Sequence, residues 1–281
     1  MKNALMHLAL EAAVEAGQAI LKIYEDEDFG VELKADASPL TRADRAAHKV
    51  ILKHLQASGI PVLSEEGRHL PFEQRKPWRE LWIVDPVDGT KEFIKRNGEF
   101  TVNIALVRDG KAVLGVVLAP VLGHLYVGEA GVGAWRLDVS MGSEVDMDQV
   151  WASRDPLPMG APSERTFTVV ASRSHMSPET EAFVEEMRTA HGKVELISKG
   201  SSLKLCMVAE GTADAYPRFA PTMEWDTAAG QAVCEAAGCE VIDQNTGEPM
   251  RYNREELLNA WFLVTRHRLP FCSDLPCLHG D

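Results

Sequence analysis

Apolar residues recur every three or four positions in two segments before residue 60, a spacing that predicts amphipathic helices. The apolar positions are Ala4, Leu5, Leu8, Ala12, Ala16 and Ile20 in the first segment, and Ala43, Ala47, Val50, Ile51 and Leu55 in the second. Short β-rich runs follow at 81–84, 101–107 and 112–118, and the turn sequence Arg-Asp-Gly-Lys at 108–111 predicts a hairpin between the last two. The first half is therefore expected to be α+β.

The second half alternates between strand-like and helix-like runs, which is typical of an α/β layer. Strands are predicted at 166–171, 194–197 and 213–216, and helices at 178–190, 203–210 and 227–237. Residues 138–165 between the halves are polar and rich in Asp, Ser, Pro and Gly. We therefore expect an N-terminal α+β domain at 1–137 that carries a metal-binding loop, and a C-terminal α/β domain at 138–281 that completes the active site.

Composition excludes some functions. The chain has 281 residues, of which 45% are hydrophobic and 25% charged, as in soluble globular proteins. Its net charge of -13 argues against a nucleic-acid partner, because phosphate backbones favour clustered Lys and Arg. No apolar stretch is expected to reach the roughly 20 residues of a membrane span, and the N-terminus does not resemble a signal peptide. We therefore expect a cytoplasmic protein without stable membrane insertion.

Several common catalytic frameworks are missing from the sequence. Gly131-Val132-Gly133 lacks the third glycine of a dinucleotide loop and is better explained as a hairpin turn. There is no P-loop, no H-E-x-x-H and no G-x-S-x-G sequence. The five cysteines form no C-x-x-C pair, so reduced thiols are expected. Cys272 and Cys277 lie in a tail that we interpret as plain surface, with metal binding or a disulfide as the weaker alternatives.

The most informative segment is L-W-I-V-D-P-V-D-G-T at 81–90, where an apolar run stops at two carboxylates. Pro86 cannot donate to a sheet ladder, so we expect strand pairing to end there and Asp85 and Asp88 to face a cleft. Two carboxylates with the intervening Val87 carbonyl suit a hard cation such as Mg²⁺. Taken alone, this segment is better explained as an ordinary strand-to-turn Asp-Gly.

Three further segments have the composition to complete a metal site. The apolar run before Ser64 ends in Glu65 and Glu66, as the first one ends in acids. Asp226 lies at a helix start, where an acid can cap the helix as well as bind metal, and capping is the simpler role for Asp226 alone. Asp44 lies in the first turn of the second predicted helix.

Glu65-Glu66, D-P-V-D-G-T at 85–90 and W-D-T-A-A-G at 225–230, in this order, resemble the signature of the Mg²⁺-dependent, lithium-sensitive inositol monophosphatase superfamily. The resemblance extends over nearly the whole chain and implies the layered αβαβα sugar-phosphatase fold. The sequences D-P-V-D-G-T-K-E-F, K-G-S-S-L-K-L-C at 199–206 and A-Y-P-R-F at 215–219 narrow it to the CysQ-type 3′(2′),5′-bisphosphate nucleotidases. Those enzymes cleave the 3′-phosphate of adenosine 3′,5′-bisphosphate, a by-product of sulfate activation.

The resemblance implies two Mg²⁺ ions with Asp85 as a shared ligand. Glu65, Asp85 and the Val87 carbonyl would hold one ion, whereas Asp85, Asp88 and Asp226 would hold the other. Two divalent cations offset the converging carboxylates and leave the phosphate oxygens as favourable ligands. The ions would activate a water for in-line displacement at phosphorus, so no covalent intermediate is needed.

The same resemblance implies roles for the residues around the ions. The Thr90 hydroxyl, backed by Asp44, would accept the proton of the water, with Glu65 and Asp88 as the catalytic metal ligands. A helix cap is the alternative for Thr90, and a solvated first-turn acid is the alternative for Asp44. The backbone N–H groups of Gly89 and Thr90 would hold phosphate oxygens.

Substrate contacts are implied in two groups. Around the transferred phosphate, the resemblance places Glu65, Val87, Asp88, Gly89, Thr90 and Asp226. Around the rest of the nucleotide, it places His175, Ser201, Lys204 and Arg218. Lys204 and Arg218 suit the 5′-phosphate, although a surface salt bridge is an equal alternative for each cation.

Alternatives remain at this stage. An inositol or sugar monophosphatase of the same superfamily shares every metal residue, and an inactive phosphatase-like binding protein would share the fold. Glu66 is expected to be a solvated neighbour rather than a ligand of a third, weaker cation. Peripheral association with the inner face of a membrane stays open, as do lithium sensitivity and oligomeric state.

Overall fold

The computed structural model describes residues 3–26, 30, 32–33, 39–68, 70–142, 144–159, 165–171 and 177–266. Within these ranges the α-helices are α1 Ala4–Tyr24, α2 Arg42–Leu55, α3 Phe72–Arg75, α4 Thr90–Ile94, α5 Met147–Ala152, α6 Pro178–His191, α7 Leu203–Glu210 and α8 Glu224–Ala236. The first strands are β1 Glu32–Leu33, β2 Pro39–Leu40, β3 Val62–Ser64, β4 Glu80–Asp88, β5 Thr101–Arg108, β6 Lys111–Ala119, β7 His124–Glu129, β8 Gly133–Asp138 and β9 Asp155–Pro156. The later strands are β10 Phe167–Ala171, β11 Val194–Ser198, β12 Ala215–Arg218, β13 Glu240–Asp243 and β14 Phe262–Thr265.

Two large sheets and three helical layers alternate through the described part of the chain. A seven-stranded sheet runs in the order β3-β4-β5-β6-β7-β8-β9, and a five-stranded sheet runs in the order β11-β10-β12-β14-β13. Helices α1 and α2 pack on one face of the first sheet, α8 on its other face, and α7 between α8 and the second sheet. Helix α6 covers the far face of the second sheet. This layering is the αβαβα order expected from the sequence.

Strand β4 is apolar over residues 81–84 because both of its faces are buried there. Trp82 and Val84 face the core under α1 and α2, whereas Leu81 and Ile83 face the core shared with α7 and α8. Successive side chains of a strand point to opposite faces, so a strand between two helical layers needs apolar residues at every position. The strand thus carries its terminal carboxylates to the edge where the two cores meet.

Most predicted elements are confirmed, and several expectations need correction. The strand predicted at 213–216 forms at Ala215–Arg218. Strand pairing does not end at Pro86, because β4 continues to Asp88 through a bulge. Helix α8 begins at Glu224 rather than at residue 227, since the Asp226 carboxylate accepts the backbone N–H of Met223 and stabilises an earlier first turn. The polar segment 138–165 also contains the short helix α5. The division of the chain near residue 138 stays a prediction.

Helix α1 corrects the expectation that no stretch approaches the length of a membrane span. Residues Ala4–Tyr24 are long and apolar enough to cross a membrane by length and composition. Half of the most apolar window, 50%, is buried inside the protein, and the helix packs on α2 and on the first sheet. A buried core helix passes the same composition test, so the apolar face of α1 is explained by its packing.

Candidate active site

The D-P-V-D-G-T segment forms a β-bulge that turns two carboxylates towards the same place. Asp85 pairs with Asn103 and Asp88 pairs with Thr101, so Pro86 and Val87 oppose one residue of β5. Proline is tolerated here because a bulged residue donates nothing to the ladder. The backbone N–H of Val87 donates to Asp85 Oδ1 at 3.0 Å, which fixes the turn of the chain.

Three carboxylates from two distant parts of the chain converge at this bulge. One oxygen from each of Asp85, Asp88 and Asp226 lies within 4.8 Å of the other two. Asp226 reaches the group from the first turn of α8, where its Oδ2 accepts the N–H of Met223 at 2.8 Å. A helix-capping role and a position in the acidic cluster are thus both filled by Asp226. The structure brings together the three side chains that the resemblance assigns to one cation.

The carboxylates repel one another in a buried setting, which fits a site for divalent cations. Burial raises the pKa of Asp85 well above its usual range, and the charges of Glu65, Asp88 and Asp226 raise it further. Burial and the charge of Asp88 raise the pKa of Asp226 to about 8. Carboxylate oxygens are ligands that Mg²⁺ prefers. A divalent cation bound between these carboxylates would offset their repulsion and stabilise their ionised form.

Glu65 joins the cluster from the neighbouring strand. Strand β3 runs parallel to β4, and the N–H of Glu65 donates to the carbonyl of Val84 at 3.1 Å. A side-chain hydrogen bond between Glu65 and Asp85 contributes to the raised pKa of Asp85. The structure therefore places Glu65 beside Asp85, on the side that the resemblance assigns to the first cation.

Asp44 and Thr90 meet beside the bulge. The Thr90 hydroxyl lies 3.5 Å from Asp44 Oδ1 and 3.3 Å from the carbonyl oxygen of Val87. Asp44 Oδ2 accepts hydrogen bonds from the N–H of Thr41 at 2.7 Å and from its hydroxyl at 2.6 Å, which closes a capping box at the start of α2. Thr90 is the first residue of α4, and Gly89, with φ 94°, precedes it as the cap.

Asp44 is buried, so the alternative of a solvated acid is wrong. Its exposed fraction is 1%. Burial raises the pKa of Asp44 to about 6, against the hydrogen bonds from Thr41 that lower it. The charges of Glu66 and Glu65 raise this pKa further. A carboxylate with such a pKa is a better proton acceptor than an ordinary aspartate and is still largely ionised at neutral pH.

A cleft of about 720 Å³, including its open mouth, extends from the carboxylates towards the second sheet. Asp88 and Asp226 belong to its lining. The residues with cationic side chains in the lining are Lys91, Lys199, Lys204 and Arg218. The lining also includes Glu92 and Glu99, and Glu99 pairs with Lys199. We call the four cationic residues of the lining its basic wall.

Lys204 and Arg218 occupy the basic wall in different ways. The Lys204 ammonium is buried, donates to the carbonyls of Ser201 at 2.7 Å and Lys199 at 3.3 Å, and lies over the ring of Tyr216. Burial lowers the pKa of Lys204 to about 8, and the charge of Asp88 opposes this change. Arg218 donates from Nη2 to the Pro221 carbonyl at 2.9 Å.

The loop that carries Ser201 lies directly against the D-P-V-D-G-T segment at 85–90. A Cβ atom at Gly89 would lie 3.3 Å from the Cβ of Ser201 and 3.2 Å from the carbonyl oxygen of Glu99. The Glu99 carboxylate accepts the N–H of Gly200 at 2.9 Å and pairs with Lys199. Ser201 thus lies at the junction between the two loops, whereas His175 lies outside the described residues.

Sequence reasoning missed two polar residues behind Asp88. Ser202 and Asn103 are both 1% exposed and both contact the Asp88 carboxylate. Asn103 lies between apolar neighbours in strand β5, and a polar amide in a strand that is buried on both faces is a signal that could have found it. Ser202 could not be separated from Ser201 by sequence alone, because the two serines are adjacent.

The amino-acid sequence matches the inositol monophosphatase family over residues 1–268. The 3′(2′),5′-bisphosphate nucleotidase CysQ of Escherichia coli strain K12 is 46% identical over 259 residues, which cover 91% of this chain and 97% of that protein. The CysQ of Haemophilus influenzae is 33% identical over 282 residues, with 92% of each chain covered.

Solved structures give the same picture. The crystal structure of CysQ from Bacteroides thetaiotaomicron, a bacterial member of the inositol monophosphatase family, has a TM-score of 0.86 and 51% identity, covering 95% of this chain and 99% of that one. The structure of SaIMPase-II with bound 2′-AMP has a TM-score of 0.72 and covers 98% of this chain and 95% of that one. Its identity of 23% supports a shared fold alone.

Proposed function

The chain belongs to the inositol monophosphatase family, and from this premise we propose that it is a Mg²⁺-dependent 3′(2′),5′-bisphosphate nucleotidase. The proposed reaction is hydrolysis of the 3′-phosphate of adenosine 3′,5′-bisphosphate to AMP and phosphate. The observation that carries the proposal is one cleft lined by Asp88 and Asp226, two of the three converging carboxylates, together with the cationic side chains of the basic wall. A small soluble nucleotide in the cytoplasm is the proposed partner.

The donor set of the site fits Mg²⁺. Glu65, Asp85 and the Val87 carbonyl would hold one ion, and Asp85, Asp88 and Asp226 a second. Bound Mg²⁺ would supply positive charge against the carboxylates and the phosphate, and would make a water more acidic. The raised pKa values of Asp85 and Asp226 support the need for such charge.

Thr90 and Asp44 are proposed to take up the proton of the attacking water. As the water oxygen bonds to phosphorus and the bond to the ribose 3′-oxygen breaks, the Thr90 hydroxyl would accept one proton and pass its own to Asp44. The separation of 3.5 Å between Thr90 Oγ1 and Asp44 Oδ1 supports this route, as does the raised pKa of Asp44. The ribose 3′-oxygen that leaves would take its proton from solvent, since the proposed mechanism includes no side chain as its proton donor.

The basic wall favours a substrate with a second phosphate. An inositol monophosphate presents hydroxyl groups beyond its single phosphate, whereas adenosine 3′,5′-bisphosphate presents a second dianion. Lys204 and Arg218 line the cleft next to Asp88 and Asp226, where that dianion would need donors. The inositol and sugar monophosphatases remain the runner-up class, because they share the proposed metal ligands.

Turnover on two substrates tests the proposal. We expect kcat/KM for adenosine 3′,5′-bisphosphate to exceed that for inositol 1-phosphate by more than about 100-fold at equal Mg²⁺, since the second phosphate adds charge-assisted hydrogen bonds. The Asp88→Asn variant is the control for contaminating phosphatases and should lose activity on both substrates while keeping the far-ultraviolet circular dichroism of the wild type. A preference for inositol 1-phosphate would contradict the nucleotidase assignment.

A further inference from the structure

The Ser202 side chain joins three segments at the back of the metal-type cluster. Its hydroxyl oxygen lies 2.9 Å from Asp88 Oδ2, at the end of β4, and 2.7 Å from the backbone carbonyl of Asp226, in α8. Asn103 Nδ2, from β5, donates to the same hydroxyl at 2.9 Å. Ser202 immediately precedes α7, so a fourth element supplies the hydroxyl that links the other three.

The hydrogen-bond capacity of these groups fixes the orientation of one carboxylate. A hydroxyl has one proton and two lone pairs, so Ser202 can accept from Asn103 and donate either to Asp88 or to the Asp226 carbonyl. The backbone N–H of Ser202 also donates to Asp88 Oδ2, at 2.6 Å. Oδ2 is thereby held from the protein side, and the Oδ1 atom of Asp88 is left for a cation.

Burial holds the Ser202 and Asn103 side chains in one hydrogen-bonding arrangement. Ser202 and Asn103 are each 1% exposed, so water does not compete for their hydrogen bonds. The Oδ1 atom of Asn103 has no hydrogen-bond partner, which means that its amide is oriented by the two donations to Ser202 and Asp88. Polar partners that orient a metal-ligating carboxylate commonly change metal affinity by 10- to 100-fold when they are removed.

We propose that Ser202, held by Asn103, is a positioning residue. Its backbone N–H holds Asp88 Oδ2, and its hydroxyl proton is shared between Asp88 Oδ2 and the Asp226 carbonyl, so that both carboxylates are preorganised for a divalent cation. The inference rests on the proposed metal dependence of the site. It does not depend on the identity of the substrate, because metal binding is measured without one.

Calorimetric titration of Mg²⁺ into the substrate-free protein tests this role. Ser202→Ala should raise the Mg²⁺ dissociation constant about tenfold, since the backbone N–H of residue 202 still reaches Asp88 after the hydroxyl is lost. Ser202→Thr keeps a hydroxyl and should stay within about threefold of the wild type. The matched control is Ser198→Ala, because Ser198 is exposed on β11 and its hydroxyl donates only a 3.4 Å bond to Ala171; its Mg²⁺ affinity should be unchanged.

Turnover against Mg²⁺ concentration separates positioning from simple loss of structure. Ser202→Ala should need about tenfold more Mg²⁺ for half-maximal rate and should regain most of the wild-type rate at saturation. Asn103→Ala should weaken Mg²⁺ binding in the same direction, and it decides the matter if Ser202→Ala does not fold. Wild-type Mg²⁺ affinity in a folded Ser202→Ala or Asn103→Ala protein, or a loss that excess Mg²⁺ does not restore, would overturn the proposal.

Discussion

Asp85, Asp88 and Asp226 are residues that a fold would not bring together for stability. Asp85 is buried, Asp88 and Asp226 are half-buried, and the three carboxylates repel one another, which is why burial and neighbouring charge raise the pKa values of Asp85 and Asp226. Local arrangements that cost stability in this way are expected at functional sites. The bulge at Pro86 and Val87 contributes to this arrangement, because it brings the Asp85 and Asp88 carboxylates at the end of β4 to the same place.

The Thr90 hydroxyl gives a residue-scale prediction. Thr90→Val removes the hydroxyl at similar volume, and we expect kcat to fall about 100-fold with little change in Mg²⁺ affinity, since a proton acceptor contributes about 10²- to 10⁴-fold. Thr90→Ser is the matched control and should retain most of kcat. Steady-state kinetics and calorimetric Mg²⁺ titration of both variants check this. Equal kcat for the two variants would remove the hydroxyl from the mechanism.

The sequence predicts the acidic residues of the site better than the polar residues that hydrogen-bond to them. Asp85, Asp88 and Asp226 were predictable because each lies in a short motif beside an apolar run, and the structure brings them together. Ser202 and Asn103 contribute through contacts between residues 99 positions apart, and such pairings depend on how the layers stack. The burial of Asp44 likewise depends on packing of α2 against the bulge, which periodicity alone does not specify.

At the scale of elements, helix α8 lies on a track of two glycines in the first sheet. Gly115 of β6 pairs with Gly128 of β7, and the backbone of α8 approaches both. A Cβ atom at Gly115 would lie 2.1 Å from the carbonyl oxygen of Ala229, and one at Gly128 would lie 2.6 Å from the Cα of Val233. The close approach sets the height at which α8 presents Asp226 above the sheet.

The glycine track gives an element-scale prediction. Gly115→Ala should lower the free energy of unfolding by about 3 kcal/mol, because neither backbone can move aside without disturbing the sheet or the helix. Gly142→Ala is the matched control, since Gly142 is exposed and a Cβ there would meet nothing within 4 Å. Denaturant unfolding of both variants measures the difference. A Gly115→Ala protein as stable as the Gly142→Ala protein would show that α8 does not rest on β6.

The sequence predicted element positions well where the helical spacing of apolar residues was clear or where a turn sequence was present. Helix α7 has the predicted bounds, and the hairpin between β5 and β6 forms at the predicted turn. Two boundaries were wrong for local reasons, namely the bulge that tolerates Pro86 and the carboxylate of Asp226 that extends α8 towards its N-terminus. Both depend on hydrogen bonds of single residues, which average propensities do not include.

At the scale of the whole molecule, the site lies between the end of β4 in the first sheet and the start of α8 in the next layer, so its charge affects global stability. The layers are joined by buried polar contacts as well as by apolar packing: Glu210 of α7 accepts from the Tyr126 hydroxyl at 2.8 Å and from Arg136 at 3.1 Å. Such contacts couple the middle helical layer, formed by α7 and α8, to the first sheet. Repulsion within the acidic cluster therefore opposes packing of the α7–α8 layer on the first sheet. A cation that relieves this repulsion should stabilise the whole protein.

The stability gained from Mg²⁺ should increase with pH. The pKa of Asp226 is raised to about 8 in the folded protein. A raised carboxyl pKa contributes stability below the unfolded pKa that is lost as pH rises through the folded value, so the metal-free protein weakens towards alkaline pH. Mg²⁺ binds the ionised carboxylates, and the increase in Tm on its addition should be larger at about pH 8.5 than at about pH 6.

Thermal melts in Mg²⁺ and in a chelator, at both pH values, check this expectation. The Asp226→Asn variant keeps the acceptor for the Met223 N–H but removes the charge, and its increase in Tm should depend less on pH. The same increase at both pH values in the wild type would contradict the role of cluster ionisation.

The most direct test of the central claim is the fate of the two phosphates of adenosine 3′,5′-bisphosphate. The substrate is incubated with the protein and Mg²⁺ in ¹⁸O-labelled water, and the products are followed by ³¹P nuclear magnetic resonance, with Asp88→Asn as the control. The account predicts 5′-AMP without label and inorganic phosphate that carries one ¹⁸O atom, because water attacks the 3′-phosphorus. Formation of 3′-AMP, label in the nucleotide, or hydrolysis no faster than with Asp88→Asn would contradict it.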